Sequence, residues 1–204
     1  KALLVGLNYD DLTFPENEVN EISEILQEYD FKVTTLLGQK ATKTNVKKQL
    51  KRKSYDVFHF TGHGNVEKNT GLVSLYDGSL STSEIDELNV GAPNFVFVNA
   101  CLTSVESTHK KSIFPSYTWA KAFLEYGSNI FIGTLWSIED KTSSDFAKEY
   151  YRRILDDNSI GEAMKKARTK FKNANDGYYT SLAYVLYGNP SITLSEVLPK
   201  ERVN

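Results

Sequence analysis

The chain has 204 residues, 40% of them hydrophobic, 25% charged and 12% aromatic. That is enough for one domain with a substantial core, and it excludes disordered, collagen-like and disulfide-scaffold classes. Lys+Arg number 24 against 26 Asp+Glu, a net charge of -2, so no global positive field exists to neutralise phosphates and nucleic acid is not an expected partner. The lone cysteine, Cys101, cannot form an intramolecular disulfide and fits a reducing compartment. No apolar run approaches the roughly 18 residues of a membrane span, and Lys1 leads straight into Ala-Leu-Leu-Val-Gly-Leu without a signal-like segment. A cytoplasmic location without membrane partners is expected. Because the sequence opens inside a first strand, residues 1–204 are read as a single domain cut from a longer multidomain protein.

The apolar run 2–7 reads as a strand. Behind Pro15, Val19, Ile22, Ile25, Leu26 and Tyr29 recur at helical spacing over 16–30. A strand over 31–37 closes on Gly38, and a lysine-rich helix follows over 43–53. Tyr55-Asp56-Val57-Phe58-His59-Phe60 is a buried-type strand running into Thr61-Gly62-His63-Gly64, a glycine-flanked histidine at its end. The Asp77-Gly78 turn predicts a hairpin between residues 72 and 79 on the carboxyl edge of the sheet. A short helix over 81–88 precedes Phe95-Val96-Phe97-Val98-Asn99-Ala100, an almost wholly apolar strand continuing into Cys101. A helix over 116–126, a strand over 130–134, helices over 140–155 and 160–173 and a last strand near 182–187 complete the reading.

Helices that separate buried strands imply a mostly parallel sheet covered on both faces. Right-handed crossovers then put every strand's carboxyl end on one edge, where open α/β sheets bind ligands. His63 and Cys101 share that edge. A thiol needs deprotonation to become a nucleophile, and an imidazole can take that proton and later return it to a leaving amine. The pair suits acyl transfer, with the Gly64 and Cys101 N–H groups as candidates for an oxyanion hole. The alternative for Cys101 is a small buried hydrophobe at a strand end.

Other chemistries find less support. His59, His63, Cys101 and His109 do not have paired zinc-ligand spacing, so no metal is expected, and His59 reads as a hydrogen-bonded strand histidine. His109, in the polar stretch 106–111, reads as a solvated loop residue. The basic run Lys47–Lys53 has no aromatic interleaving and reads as a solvated helix face. No nucleophile elbow, phosphate loop or dinucleotide fingerprint occurs, so no cofactor is expected.

Phe58-His59-Phe60-Thr61-Gly62-His63-Gly64, Val98-Asn99-Ala100-Cys101-Leu102-Thr103-Ser104, Gly133-Thr134-Leu135-Trp136-Ser137-Ile138-Glu139-Asp140 and Leu186-Tyr187-Gly188-Asn189-Pro190, in this order, resemble the CHAT-domain family of caspase-like (clan CD) cysteine peptidases. The opening Leu4-Val5-Gly6-Leu7-Asn8-Tyr9 is similar to the first strand of metacaspases. The resemblance covers nearly the whole chain. It implies an α/β caspase-like three-layer sandwich, with a mostly parallel central sheet of about six strands and helices on both faces. It further implies a cysteine endopeptidase that cleaves a protein partner, with His63 and Cys101 catalytic and Gly64 and Cys101 N–H groups as the oxyanion hole. Relatives are commonly fused to regulatory repeat or sensor domains, which are expected partners here. A catalytically silent interaction module on the same fold is the alternative function.

By the same matching, Trp136 and Ser137 fall where caspase-like enzymes pair backbone with an extended substrate. A buried core tryptophan is the competing reading of Trp136. Glu21 is similar in position to the pocket acid of metacaspases, and Asp10, Asp11, Glu106, Glu139 and Asp140 add negative charge on carboxyl-edge loops. Glu21 and Asp140 therefore join Trp136 and Ser137 as expected substrate contacts. A basic P1 residue is expected ahead of Asp, with Leu next.

Overall fold

Strand β1 (Ala2–Gly6) is buried along its whole length, as its unbroken apolar sequence requires of a central strand. It pairs in parallel with β2 (Val33–Leu37) on one side and β3 (Val57–Glu67) on the other. Beyond β3 lie β6 (Phe95–Leu102) and β7 (Ile130–Thr134), both parallel, and then β8 (Tyr184–Gly188), antiparallel to β7. The path is therefore β2-β1-β3-β6-β7-β8, extended by the antiparallel hairpin of β4 (Thr70–Leu75) and β5 (Gly78–Ser81), which pairs with the far half of β3. The computed structural model describes residues 1–52, 55–67, 70–88, 92–102, 115–172 and 177–198. Among these the sheet has eight strands, two more than expected, because the hairpin joins the sheet instead of only flanking it.

The two faces divide the core by strand alternation. On one face Leu4, Val57, Phe95, Phe97, Ile130 and Ile132 pack against α1 (Pro15–Gln27), α5 (Asp140–Leu155) and α6 (Ile160–Phe171). On the other, Leu3, Val5, Phe58, Phe60, Val96, Val98 and Phe131 pack against α2 (Lys43–Lys51), α3 (Thr82–Asp86) and α4 (Pro115–Glu125). This is the expected three-layer sandwich. Two short helices escaped the sequence reading, α7 (Gly177–Ala183) and α8 (Leu194–Val197). Each is too short to display a helical repeat. Among the described residues no helix is long and apolar enough to cross a membrane.

The α5–α6 contact contains a buried acid. Glu149 is held by Arg153 and Lys170, each at 2.6 Å. Burial raises the Glu149 pKa, but the two ion pairs outweigh it and hold the carboxyl below its ordinary value. A depressed folded-state pKa means that this stabilisation is present above the ordinary glutamate value of about 4.3 and is lost as pH falls through the folded value. The midpoint of thermal unfolding is expected to fall with pH across that window. Glu149→Gln is expected to lower the midpoint at neutral pH and to flatten the slope. An unchanged slope would assign the acid sensitivity to other carboxylates.

Candidate active site

The site forms where β3 changes neighbours. Its pairing with β1 ends at Gly6↔Thr61, and its pairing with β4 begins at Gly64↔Val73. Gly62 and His63 lie in the interval, while β6 continues beside them in register through His63↔Cys101 and Gly64↔Leu102. Residues 38 positions apart in sequence thus stand opposite each other, as the sequence predicts. His63, however, is not at a strand's end: β3 runs on to Glu67. Gly62 has φ +154°, and a Cβ there would meet the Phe60 ring at 3.1 Å. The glycine before the histidine therefore admits a backbone turn that a side chain would resist.

The gap beside His63 is filled by the β1–α1 loop. Asp11 Oδ1 lies 3.0 Å from His63 Nε2, and the Tyr9 ring packs on the imidazole with centroids 4.5 Å apart. The hydrogen bond from His63 holds the Asp11 carboxyl below its usual range, so Asp11 accepts and Nε2–H donates. His63 Nδ1 is buried without a hydrogen-bond partner among the described residues. An imidazole with one nitrogen on a carboxylate and the other unengaged is set to accept a proton at the second.

Directly beneath, α1 inserts a carboxylate into the sheet face. Gly6 makes this approach possible, because a Cβ there would collide with Pro15 O and Val19 Cγ2, both at 2.8 Å. Glu18 is 1% exposed. It receives His59 Nε2 at 2.9 Å, Thr61 Oγ1 at 3.3 Å and Asn99 Nδ2 at 3.0 Å from both oxygens. Tyr151 hydroxyl lies 3.3 Å from His59 Nδ1, and Tyr184 hydroxyl donates to Asn99 Oδ1 at 3.0 Å. Every partner is satisfied when His59 carries its proton on Nε2 and Tyr151 donates to Nδ1. Burial, with Glu18 nearby, pushes the Tyr151 hydroxyl well up, which keeps it a donor. Thr61 and Asn99 are cross-strand partners two positions before His63 and Cys101. Glu18 thus ties β3 and β6 together one layer below the candidate dyad.

The expected substrate contacts divide. Trp136 is 42% exposed and Ser137 is exposed, on the segment after β7, so the core reading of Trp136 is set aside. Glu21 is not at this edge. It lies two turns into α1, ion-paired to Lys148 of α5 at 2.6 Å and hydrogen-bonded by Asn17. The Lys148 hydrogen bond holds its carboxyl below the ordinary value. The buried acid on α1 is instead Glu18, which the sequence reading passed over. Asp140 Oδ2 accepts the N–H groups of Thr13 and Phe14 at 2.7 and 3.1 Å. Glu139 accepts from Lys141 and Thr142 N–H as the N-cap of α5. With Asp11 on His63, these carboxylates have partners within the protein, and Glu21, the expected pocket acid, lies away from this edge. Glu106 and His109 lie outside the described residues, as does the segment after the cysteine. Gly64 lies inside the ladder between β4 and β6.

A model of the CHAT domain matches residues 2–186. A search of curated proteins finds no match. Among solved structures, the Arg-specific cysteine proteinase gingipain R superposes with a TM-score of 0.67 at 15% identity, over 94% of this chain and 46% of that one. Separase from Saccharomyces cerevisiae, in complex with securin, gives 0.60 at 21% identity, over 94% of this chain and 12% of that one. The Drosophila initiator caspase Dronc gives 0.57 at 11% identity, over 95% and 82%. The chain therefore spans less than half the length of the gingipain R and separase chains. At these identities the likeness speaks for the fold, which is that of the clan CD caspase-like cysteine peptidases. Since the family model spans nearly all of the sequence, from β1 into β8, the chain belongs to the CHAT-domain family.

Proposed function

We propose that the protein is a cysteine endopeptidase that cleaves a protein partner through Cys101 and His63. The observation that carries this reading is the β3–β6 register, His63↔Cys101, together with a histidine whose Nε2 is held by Asp11 and whose Nδ1 is unengaged among the described residues. In the proposed reaction the Cys101 thiol gives its proton to His63 Nδ1, and the thiolate attacks the scissile carbonyl carbon. The resulting oxyanion is held by the N–H groups of Gly64 and Cys101. Collapse breaks the C–N bond, and Nδ1–H protonates the departing amine. Water, deprotonated by the same nitrogen, then hydrolyses the thioester and returns the thiol. Asp11 stabilises the imidazolium through Nε2–H. Exposed Trp136 and Ser137 offer an edge along which an extended substrate can lie.

A peptidyl electrophile or iodoacetamide is expected to label Cys101 in the wild type, with the rate falling roughly 100-fold or more in His63→Ala, the range of a lost general base. Equal labelling of the two proteins would remove the histidine from the mechanism and favour a silent interaction module.

A further inference from the structure

The loop between β1 and α1 carries both groups that touch the His63 ring. Tyr9 and Leu12 exchange backbone hydrogen bonds at 2.8 and 3.1 Å, so Asp10 and Asp11 stand at the corner of a tight turn with Leu12 buried beneath it. The outgoing limb enters α1 at Phe14, an N-cap residue with no side chain able to accept an N–H. A helix start leaves such donors unsatisfied unless something else accepts them. Asn8 Oδ1 takes Glu16 N–H at 3.0 Å, and Asp140 Oδ2, reaching across from the first turn of α5, takes Thr13 and Phe14 N–H. Burial, with Glu18 and Glu139 nearby, pushes the Asp140 carboxyl up even though it accepts two N–H groups. The position is electrostatically unfavourable for a carboxylate, yet it ties α5 to the loop only two residues from Asp11.

We infer that Asp140 is a positioning residue for His63: by fixing Thr13 and Phe14 it fixes the loop from which Asp11 holds Nε2 and Tyr9 packs on the ring. Its consequence for turnover rests on the peptidase reading, whereas its effect on the imidazole does not. Releasing the loop frees Nε2 from Asp11, so the ring samples both tautomers and Nδ1 is no longer always the accepting nitrogen. A residue that merely caps α1 would lower stability without moving the histidine.

The test uses ring nitrogen NMR of His63 and the rate of Cys101 alkylation. In the wild type with the ring neutral, the ring signals are expected to report one tautomer, Nε2–H. In Asp140→Ala they are expected to average between the two forms, with alkylation slowed roughly tenfold, the scale of a displaced catalytic group. Asp140→Asn retains an acceptor oxygen and is expected to restore both readouts. Should Asp140→Ala fail to fold, Asp140→Ser, too short to reach Thr13, gives the same comparison. In a Tyr9→Ala/Asp11→Ala background, Asp140→Ala is expected to slow alkylation by no more than about twofold, because neighbours acting through one route are non-additive. Unchanged tautomer signals in Asp140→Ala, or the full tenfold loss persisting in that background, would overturn the inference. His63→Ala alkylating at the wild-type rate would instead overturn the peptidase reading and leave the tautomer result standing.

Discussion

His63→Ala and Cys101→Ala are each expected to lower kcat/KM on a cleaved protein by at least about 10⁴-fold, and the double variant is expected to be no worse than either alone. The non-additivity is the informative part. The thiol is useful only when its proton has a destination, and the imidazole has no role in bond cleavage without the sulfur, so removing either removes the unit. His63 is only 19% exposed at the side chain, but it lies where β3 has left β1 and not yet met β4, with its ring against a loop, so its truncation is expected to leave the fold intact by circular dichroism. Losses that multiply in the double variant would indicate two independent contributions and would contradict the proposed proton transfer.

The largest stability effect is expected at Glu18. Glu18→Ala removes the acceptor for His59, Thr61 and Asn99 together, leaving their donors unpaired between α1 and the sheet. Leaving buried polar partners uncompensated costs about 3–5 kcal/mol, a large part of the roughly 5–15 kcal/mol by which domains are stable. Urea unfolding is expected to show that loss, or no folded state at all. A loss below about 0.5 kcal/mol, the range of ordinary surface substitutions, would mean that water or a rearranged Asn99 replaces the carboxylate. Because Thr61 and Asn99 lie two positions before His63 and Cys101, Glu18→Gln is expected to disturb the dyad before it unfolds the protein.

The sequence shows most of the fold because apolar runs and helical spacing follow from burial, and burial here is conventional. β1, β6 and β7 read as continuous apolar strands, and α5 spans 140–155 as its periodicity predicts. What the pattern misses has local causes. Gly62 and Gly64 read as a strand's end, yet β3 passes through them because β6 on one side and β4 on the other supply ladder partners. The antiparallel direction of β8 follows from the two long helices α5 and α6 after β7, which return the chain to the carboxyl end of that strand, where Leu135 N–H donates to Ala183 O.

The candidate pair was legible because a glycine-flanked histidine and a lone cysteine on buried strands are chemically conspicuous. Its supports were not, because each is an ordinary residue made special by distance. Glu18 did leave a trace: it falls four residues before Ile22 and seven before Ile25, on the apolar stripe of α1, where an acid needs a buried partner. Asn99 left another, as a polar residue in an otherwise apolar strand two positions before Cys101. Glu21 attracted the pocket assignment through likeness of position, but the helix turns it toward Lys148. Asp11 and Asp140 looked like members of one acidic cluster, whereas one holds the histidine and the other holds the loop.

We propose that this chain cuts proteins with Cys101. The most direct measurement is a proteome-wide profile of new N-termini generated by the wild type and by Cys101→Ala under the same conditions. A defined set of cleavages is expected with the wild type and is expected to be absent with Cys101→Ala. The same set of new N-termini appearing with both proteins would contradict it.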